Sequence, residues 1–409
     1  MRPRRCVLLK EGEMFLKGEN RPMFERRLLD NIAAAVPEEC GRVGTSPRPG
    51  MVVLHPERAT DVLAARMRDV FGVATVQPAL SVPKRLDLIT DAALGELRAR
   101  FGDPGDTSRT FAVRAHRRDK SFPMTSPQLA VHLGAQVQAA TGWSVDLSDP
   151  EVTLIVEIDH REAFVSVQRL TGAGGLPVGA SGRAVVLLSG GFDSPVAAHR
   201  AMRRGLSCDF VHVTGAPYTG PSSAYKAYAV VRRLSRHQPR TRLWVAPLGR
   251  AQRALASSTE QDLRTVAQRR LMLRLAEEIA GRVGADALVT GDSLGQVASQ
   301  TLSNIAAVDA ACRLPVLRPL LGWDKEEIIA EARRLGTAEI SELADEDCCT
   351  LLAPRRPATR STPQALARIE RRVGAEDLVE NVLAEAEEFT FPATEGGDHA
   401  STARLRTAS

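Results

Sequence analysis

The residues best suited to chemistry form one contiguous stretch, Ser189-Gly190-Gly191-Phe192-Asp193-Ser194, directly after the apolar run at 185–188. Such a run reads as a buried parallel strand, and Pro195 fits the first turn of a following helix. Two adjacent glycines let backbone N–H groups come close to an anion, and a helix start adds the positive end of its dipole. The stretch is therefore a candidate phosphate cradle. It has neither the Gly-Lys-Ser/Thr of a Walker A loop nor the GxGxxG spacing of a dinucleotide site. Asp193 would orient a magnesium ion or polarise reacting groups there. An acid favoured by the helix dipole alone is the plainer alternative.

A second stretch, TGDSLGQVASQTLSN at 290–304, follows another apolar strand. Gly291 again permits a close approach at a strand end, while Ser293 alone could be an ordinary N-cap. Arg269 and Arg270 lie near the start of a helix over 266–280 and could face a phosphate or solvent. Cys348 and Cys349 are adjacent, in SELADEDCCTLLAPRRPATRSTP. A vicinal disulfide is strained, so the pair reads as two thiols. Acidic residues before it and an Arg/Pro-rich run after it suggest an exposed segment, where a thiolate could do sulfur chemistry.

The elements that must position these groups change character along the chain. Residues 1–60 read as a small α+β unit, with strands at 6–9 and 51–55 and an amphipathic helix at 21–36. Residues 61–170 repeat that grammar and end in two hairpin-like strands. Residues 171–182 hold GAGGLPVGASG, which composition alone makes a flexible linker. From 183 to 392 strands and helices alternate, the pattern of a doubly wound parallel sheet. The polar tail at 393–409 is expected to be disordered.

Composition sets the limits. With 409 residues, 44% hydrophobic and 25% charged, this is an ordinary globular protein of two or three domains. Its formal charge is only +5, yet 48 of its 54 basic residues are arginines, the side chain that holds phosphate bidentately. Basic residues concentrate at 98–120, locally +4, and at 355–372, where six arginines face Glu370 alone. Aromatics are 4%, so a nucleic-acid partner would be read through phosphates and shape, not extensive base stacking. The six cysteines include no CxxC and no zinc spacing. No apolar stretch approaches the ~18 residues of a membrane span, and no signal peptide is visible, so a cytoplasmic protein without a membrane partner is expected.

The SGGxDS pattern resembles the PP-loop of ATP pyrophosphatases, which cleave ATP between the α- and β-phosphates. Across several blocks the sequence resembles the ThiI family, the tRNA 4-thiouridine synthases. Those blocks include EGEMFLKGENRPMFERRLLDNI, RRDKSFPMTSPQL, GAGGLPVG, LLSGGFDSPVAAHRAMRRG, PYTGPSSAYK, TGDSLGQVASQTLSN, PVLRPLLGWDKEEII and EDCCTLLAPRRPATR, in the family's order over about residues 5–360. The resemblance implies an α/β protein with an N-terminal ferredoxin-like α+β domain (1–60), a THUMP RNA-binding domain (61–170) and a C-terminal doubly wound PP-loop domain (183–392).

It further implies that Leu187, Leu188, His212, Val213, Arg269, Gly291 and Gln300 surround ATP, with Ser189, Gly190, Gly191, Asp193 and Ser194 at its phosphates and Mg2+. The implied reaction adenylates O4 of uridine 8 in tRNA and replaces that oxygen with persulfide sulfur from a cysteine desulfurase. Cys348 falls at the family's catalytic cysteine, with Cys349 the second choice and Cys312 or Cys208 as further substitutes. The expected form lacks the C-terminal rhodanese-like domain that some members carry, and no iron–sulfur cluster is expected. Sulfur supply for thiamine thiazole synthesis and a homodimer stay open. An ammonia-using PP-loop enzyme and a non-catalytic RNA-binding protein are the rival readings.

Overall fold

The structure of the protein is a computed structural model that describes residues 3–102, 108–257, 260–344, 354, 356–392 and 401–404. The first part of the chain runs β1 (Arg4–Glu11), α1 (Arg21–Ala34), β2 (Val43–Arg48), β3 (Met51–Pro56), α2 (Thr60–Met67), β4 (Val73–Val82), α3 (Leu86–Phe101), β5 (Thr110–Arg117), α4 (Ser126–Thr141), β6 (Ser144–Val145), β7 (Val152–Ile158), β8 (Ala163–Ser166) and β9 (Leu170–Thr171). The second part runs β10 (Arg183–Leu188), α5 (Asp193–Arg203), β11 (Ser207–Thr214), α6 (Ser222–Ser235), β12 (Arg240–Pro247), α7 (Gly249–Ala256), α8 (Arg264–Val283), β13 (Ala287–Val289), α9 (Leu302–Asp309), β14 (Val316–Leu317), α10 (Lys325–Leu335), α11 (Ala338–Ser341), α12 (Pro363–Val373), α13 (Ala375–Glu385), β15 (Glu387–Pro392) and β16 (Ser401–Arg404).

Contacts divide the chain into two units. The first holds the residues up to Arg21 and Val36–Gly175. Its nine strands form one sheet in the order β2-β3-β1-β4-β8-β7-β5-β6, with β9 on β4. The strands alternate well enough to bury one face: Phe111, Leu154, Val156 and Val165 join Ile89, Leu97, Leu133 and Val137 from α3 and α4 in one core. Thr125 and Gln128 close a capping box at the start of α4, as Ser/Thr-x-x-Gln predicts. No break in the sheet falls at residue 60. The strand after α2, β4, pairs with both β1 and β8, so the segments on either side of residue 60 share a ladder.

The second unit comprises Pro22–Ala35 and residues from Leu176 onward. Its sheet order is β14-β13-β10-β11-β12-β15-β16, parallel from β14 to β12 and antiparallel beyond. The apolar faces of α7, α8, α12 and α13 pack on it, with Trp244, Leu271, Leu275 and Ile279 among the buried residues. Among the described residues, no helix is long and apolar enough to cross a membrane.

Three expectations change here. Helix α1, read from sequence as part of the first domain, belongs with the second unit, where Asn31 Nδ2 donates to Val178 O at 3.0 Å. The glycine-rich 171–182 is no loose tether. Gly172 and Gly174 donate to Ala74 O and Val73 O in the first unit, and Leu176 and Gly179 donate to Arg203 O and Gly205 O in the second. A Cβ on Gly172 would stand 2.3 Å from Val73 O, so this glycine serves a close backbone approach, not flexibility. Within the tail, Ser401–Arg404 pairs along β15, which otherwise presents an open edge.

Candidate active site

The parallel sheet of the second unit reverses direction at β10. From it the chain moves to β11 and β12 on one side, then returns to β13 and β14 on the other. Ligands of open parallel sheets bind in the crevice at such a switch point, beyond the carboxyl ends of the strands. Both stretches singled out in the sequence leave the sheet there, Ser189–Ser194 after β10 and Thr290–Gln300 after β13.

Ser194 ties the first loop. Its Oγ accepts from Ser189 N at 2.8 Å, lies 3.0 Å from Ser189 Oγ, and donates to Ser189 O at 3.3 Å. Gly191 N donates to Ser189 Oγ at 3.3 Å. No side chain caps α5, so a bound anion can meet the start of that helix without displacing one. Gly291 lies against the same turn. A Cβ there would be 2.6 Å from Ser194 N and 2.8 Å from Asp193 C, so only glycine lets the two strand-end loops touch.

Between the loops lies a cavity of about 430 Å³. Of the residues implied by resemblance, Leu187, Ser189, Asp193, Ser194, Arg269, Gly291 and Gln300 line it. Leu188, Gly190, Gly191, His212 and Val213 are not in its lining. Leu188 and His212 pair across β10 and β11, and His212 Nδ1 lies 3.0 Å from Leu188 O, so this ring faces the sheet backbone. Val213 follows on β11, opposite Ala246.

Sequence reasoning missed Asp292, Lys325 and Arg318. Asp292, 3% exposed, accepts from Arg269 Nη2 and Gln300 Nε2 at Oδ1, and from Thr290 Oγ1 (2.8 Å) and Arg318 Nε (3.0 Å) at Oδ2. Burial alone would raise its pKa, but the Arg269 charge, hydrogen bonds from Arg269 and Thr290, and the Arg318 charge hold it below the usual carboxylate value. Arg318 also donates to both oxygens of Asp309. Lys325 Nζ donates to Asp193 Oδ1 at 2.8 Å and lies 5.4 Å from the centre of the Phe192 ring, while Gln296 Nε2 reaches Asp193 Oδ2 at 3.3 Å. Asp292 stands next to Gly291 in a quoted block, and both cations lie in PVLRPLLGWDKEEII, so the positions were visible but their partners were not.

Asp193 is thus the accessible carboxylate on the cavity wall, since Asp292 is enclosed by donors. One carboxylate together with substrate phosphates is a normal magnesium set, so the site fits Mg2+ held mainly by a nucleotide. Among the described residues there is no cluster of three His, Cys, Asp or Glu side chains to hold a metal ion by itself.

Cys348 and Cys349 lie outside the described residues, but Pro354 and Pro357, just beyond them, line the cavity. The other proposed sulfur carriers are poorly placed. Cys208 is fully buried, and burial pushes its thiol far up, with Asp209 adding to it. Cys312 is half-buried, and burial followed by Glu277 pushes it to about 11.

Known proteins match the same segments. Residues 6–76 match a ThiI ferredoxin-like domain, 83–168 a THUMP domain and 179–374 the family described as thiamine biosynthesis protein (ThiI). A Nocardia farcinica protein named "Probable tRNA sulfurtransferase" is 58% identical over 380 residues, 92% of each chain. This chain belongs to the ThiI family. A Thermus thermophilus ThiI relative of the same name is 43% identical over 93% of this chain and 92% of its own. A solved 4-thiouridine synthetase, in complex with RNA and with ATP bound, superposes with a TM-score of 0.85 at 31% identity, covering 95% of this chain and 99% of that one. The ThiI fold is therefore α/β with ferredoxin-like, THUMP and PP-loop parts.

Proposed function

We propose that this ThiI-family protein is an ATP-dependent tRNA sulfurtransferase that converts uridine 8 of tRNA to 4-thiouridine. The observation that carries the reading is the Ser189–Ser194 loop, closed by Ser194 and facing the cavity that Arg269, Asp292 and Gly291 complete. A polyanion there meets backbone N–H groups, a helix start and Lys325 together. The relatives' names and the RNA- and ATP-bound neighbour agree with that substrate pair.

The chemistry follows from what these groups can hold. ATP lies with its phosphates on the loop and Lys325 beside them. Uridine O4 attacks the α-phosphorus, the α–β bridging P–O bond breaks, and pyrophosphate leaves with the electron pair. Asp193 is the carboxylate that would hold a Mg2+ ion brought in with the nucleotide, and such an ion would supply charge neutralisation for the leaving pyrophosphate. C4 now carries AMP in place of a poor leaving group. The terminal sulfur of a Cys348 persulfide attacks C4 and AMP departs. Attack by a second thiol on the Cys348 sulfur then breaks the S–S bond, leaving 4-thiouridine and a protein disulfide. Cys349 is the adjacent second thiol, and the vicinal disulfide it would form is strained, so it persists only until a cellular thiol reduces it back to two thiols. Cys348 precedes Pro354 on the cavity wall by six positions, a reach of at most about 20 Å. The persulfide comes from a cysteine desulfurase, and the same delivered sulfur could serve the thiamine pathway in the family's description.

In the first unit, a second cavity of about 650 Å³ opens on the sheet beside Lys10, Arg114, His116, Arg169 and Glu151. Lys10 is paired with Glu157, which leaves Arg114 and Arg169 as the cations placed to meet RNA phosphate. The decisive experiment incubates the protein with ATP, Mg2+, a persulfide donor and unmodified tRNA, then measures 4-thiouridine by mass spectrometry of nucleosides. Product with wild type and none with Asp193→Ala or Cys348→Ser is expected. An aminated nucleoside would point to the ammonia-using alternative, and RNA binding without any ATP binding to a non-catalytic protein.

A further inference from the structure

Gln300 is 8% exposed and lines the cavity, held by a turn in which its N–H donates to Val297 O and its carbonyl accepts from Gly295 N. Its amide nitrogen donates to Asp292 Oδ1 at 3.2 Å. Its other side-chain atom, Oε1, is buried and has no hydrogen-bond partner among the described residues. A buried amide carbonyl without a partner costs folding free energy and calls for an explanation.

The orientation of that amide is not free. An ionised carboxylate only accepts hydrogen bonds, so whichever end of Gln300 faces Asp292 must be the NH2 group. Four donors, from Arg269, Gln300, Thr290 and Arg318, surround Asp292 and keep it ionised. The carbonyl end is then the buried side-chain atom of Gln300 left without a partner among the described residues, and a carbonyl oxygen accepts hydrogen bonds, so it does not pair with an ionised phosphate. We infer that Asp292 is a positioning residue that fixes Gln300 as a hydrogen-bond acceptor, and that Gln300 Oε1 reads an N–H or O–H donor of the nucleotide, a ribose hydroxyl or the exocyclic amine of adenine.

This rests on the cavity being the ATP site, and the two can fail separately. Binding is measured by calorimetry, in the presence of Mg2+, for ATP, 2′-deoxyATP, 3′-deoxyATP and inosine triphosphate, in which a carbonyl oxygen replaces the amine. Wild type should bind one of the three analogues roughly tenfold more weakly than ATP, because losing the donor leaves Oε1 buried and unpaired. The weakened analogue names the donor. Gln300→Met should bind ATP and that analogue equally. Asp292→Asn, whose side-chain NH2 can meet the Gln300 carbonyl and let the amide flip, should lose most of the same preference while Gln300 remains. Should Asp292→Asn not fold, Gln300→Met decides. Equal binding of all four nucleotides by wild type overturns the inference, as does wild-type discrimination surviving in Gln300→Met or in folded Asp292→Asn. Absence of ATP binding by wild type would overturn the nucleotide site itself.

Discussion

Lys325 Nζ lies 2.8 Å from Asp193 Oδ1, joining the first residue of α10 to the first residue of α5. Without nucleotide the two charges answer one another at the mouth of the phosphate loop. A triphosphate with Mg2+ offers each a stronger partner, phosphate oxygen for the lysine and the metal ion for the carboxylate.

Lys325→Met should therefore cut thiolation at least tenfold, with a raised KM for ATP and an unchanged KM for tRNA, in steady-state assays. Fold stability should hardly move. The lysine side chain is 42% exposed and an ion pair of that exposure adds little. A variant as active as wild type at low ATP would remove Lys325 from the phosphate site.

Gly291→Ala tests the contact between the two strand-end loops. The new methyl group would fall 2.6 Å from Ser194 N, in backbone that flexible side chains cannot relieve. Overpacking of this kind costs roughly 1–3 kcal/mol and would push the phosphate loop away from the cavity. Expected are a lowered melting temperature and loss of ATP-dependent stabilisation in thermal shift. Unchanged ATP stabilisation would mean that the loops yield without harm.

A third prediction concerns pH. His199 on α5 is buried, and burial first, then His237 and Arg334, Arg200 and Arg203, lower its pKa from 6.5 to about 2. Glu331 of α10 faces it, with Nδ1 3.9 Å from Oε1, and Arg200 and Arg334 both engage that acid. With a folded-state pKa below the unfolded one, the unfolded chain takes up the proton first. The stability this neutral histidine preserves is complete above pH 6.5 and falls as pH drops toward 2, by up to roughly 1.4 kcal/mol per pH unit. Unfolding midpoints measured from pH 7.5 to 5 should fall, and His199→Leu should flatten the curve. Parallel curves would assign the acid sensitivity elsewhere.

How far the sequence reached depended on range. Ser189 to Ser194 were readable because a phosphate loop is written in adjacent residues, and Ser194 closes on Ser189 only five positions away. Asp292 was passed over although it adjoins Gly291, since its meaning lies in partners from α8, from the 298–300 turn and from Arg318. Lys325 meets Asp193 across 132 positions, which no local pattern encodes. Composition misled at 171–182, where glycine marks tight backbone approach. The helix 21–34 was legible but the surface it packs on was not, because an amphipathic pattern says that a face is buried and not against what.

The remaining prediction separates the cysteines. At pH 7.5 a thiol with a pKa near 11 is thiolate in roughly one molecule in three thousand, so Cys312 is a weak nucleophile. Cys208 is worse placed: its backbone is clamped by Gln238 on both sides, at 3.0 and 2.6 Å, inside the parallel sheet. Cys6 is buried in the other unit, with burial and then Glu162 pushing its thiol to about 12. Brief iodoacetamide treatment followed by peptide mass mapping should therefore label Cys348 and Cys349 well before Cys6, Cys208 or Cys312. Cys312→Ala should keep thiolation within about twofold, because a thiol so rarely ionised contributes little to sulfur transfer. Cys208→Ala should also keep activity, at some cost in stability from the small cavity left in the core. Loss of 4-thiouridine in folded Cys312→Ala, measured with reduced protein and excess persulfide donor, would place the second thiol on Cys312 and shift the sulfur path to the α9 side of the cavity.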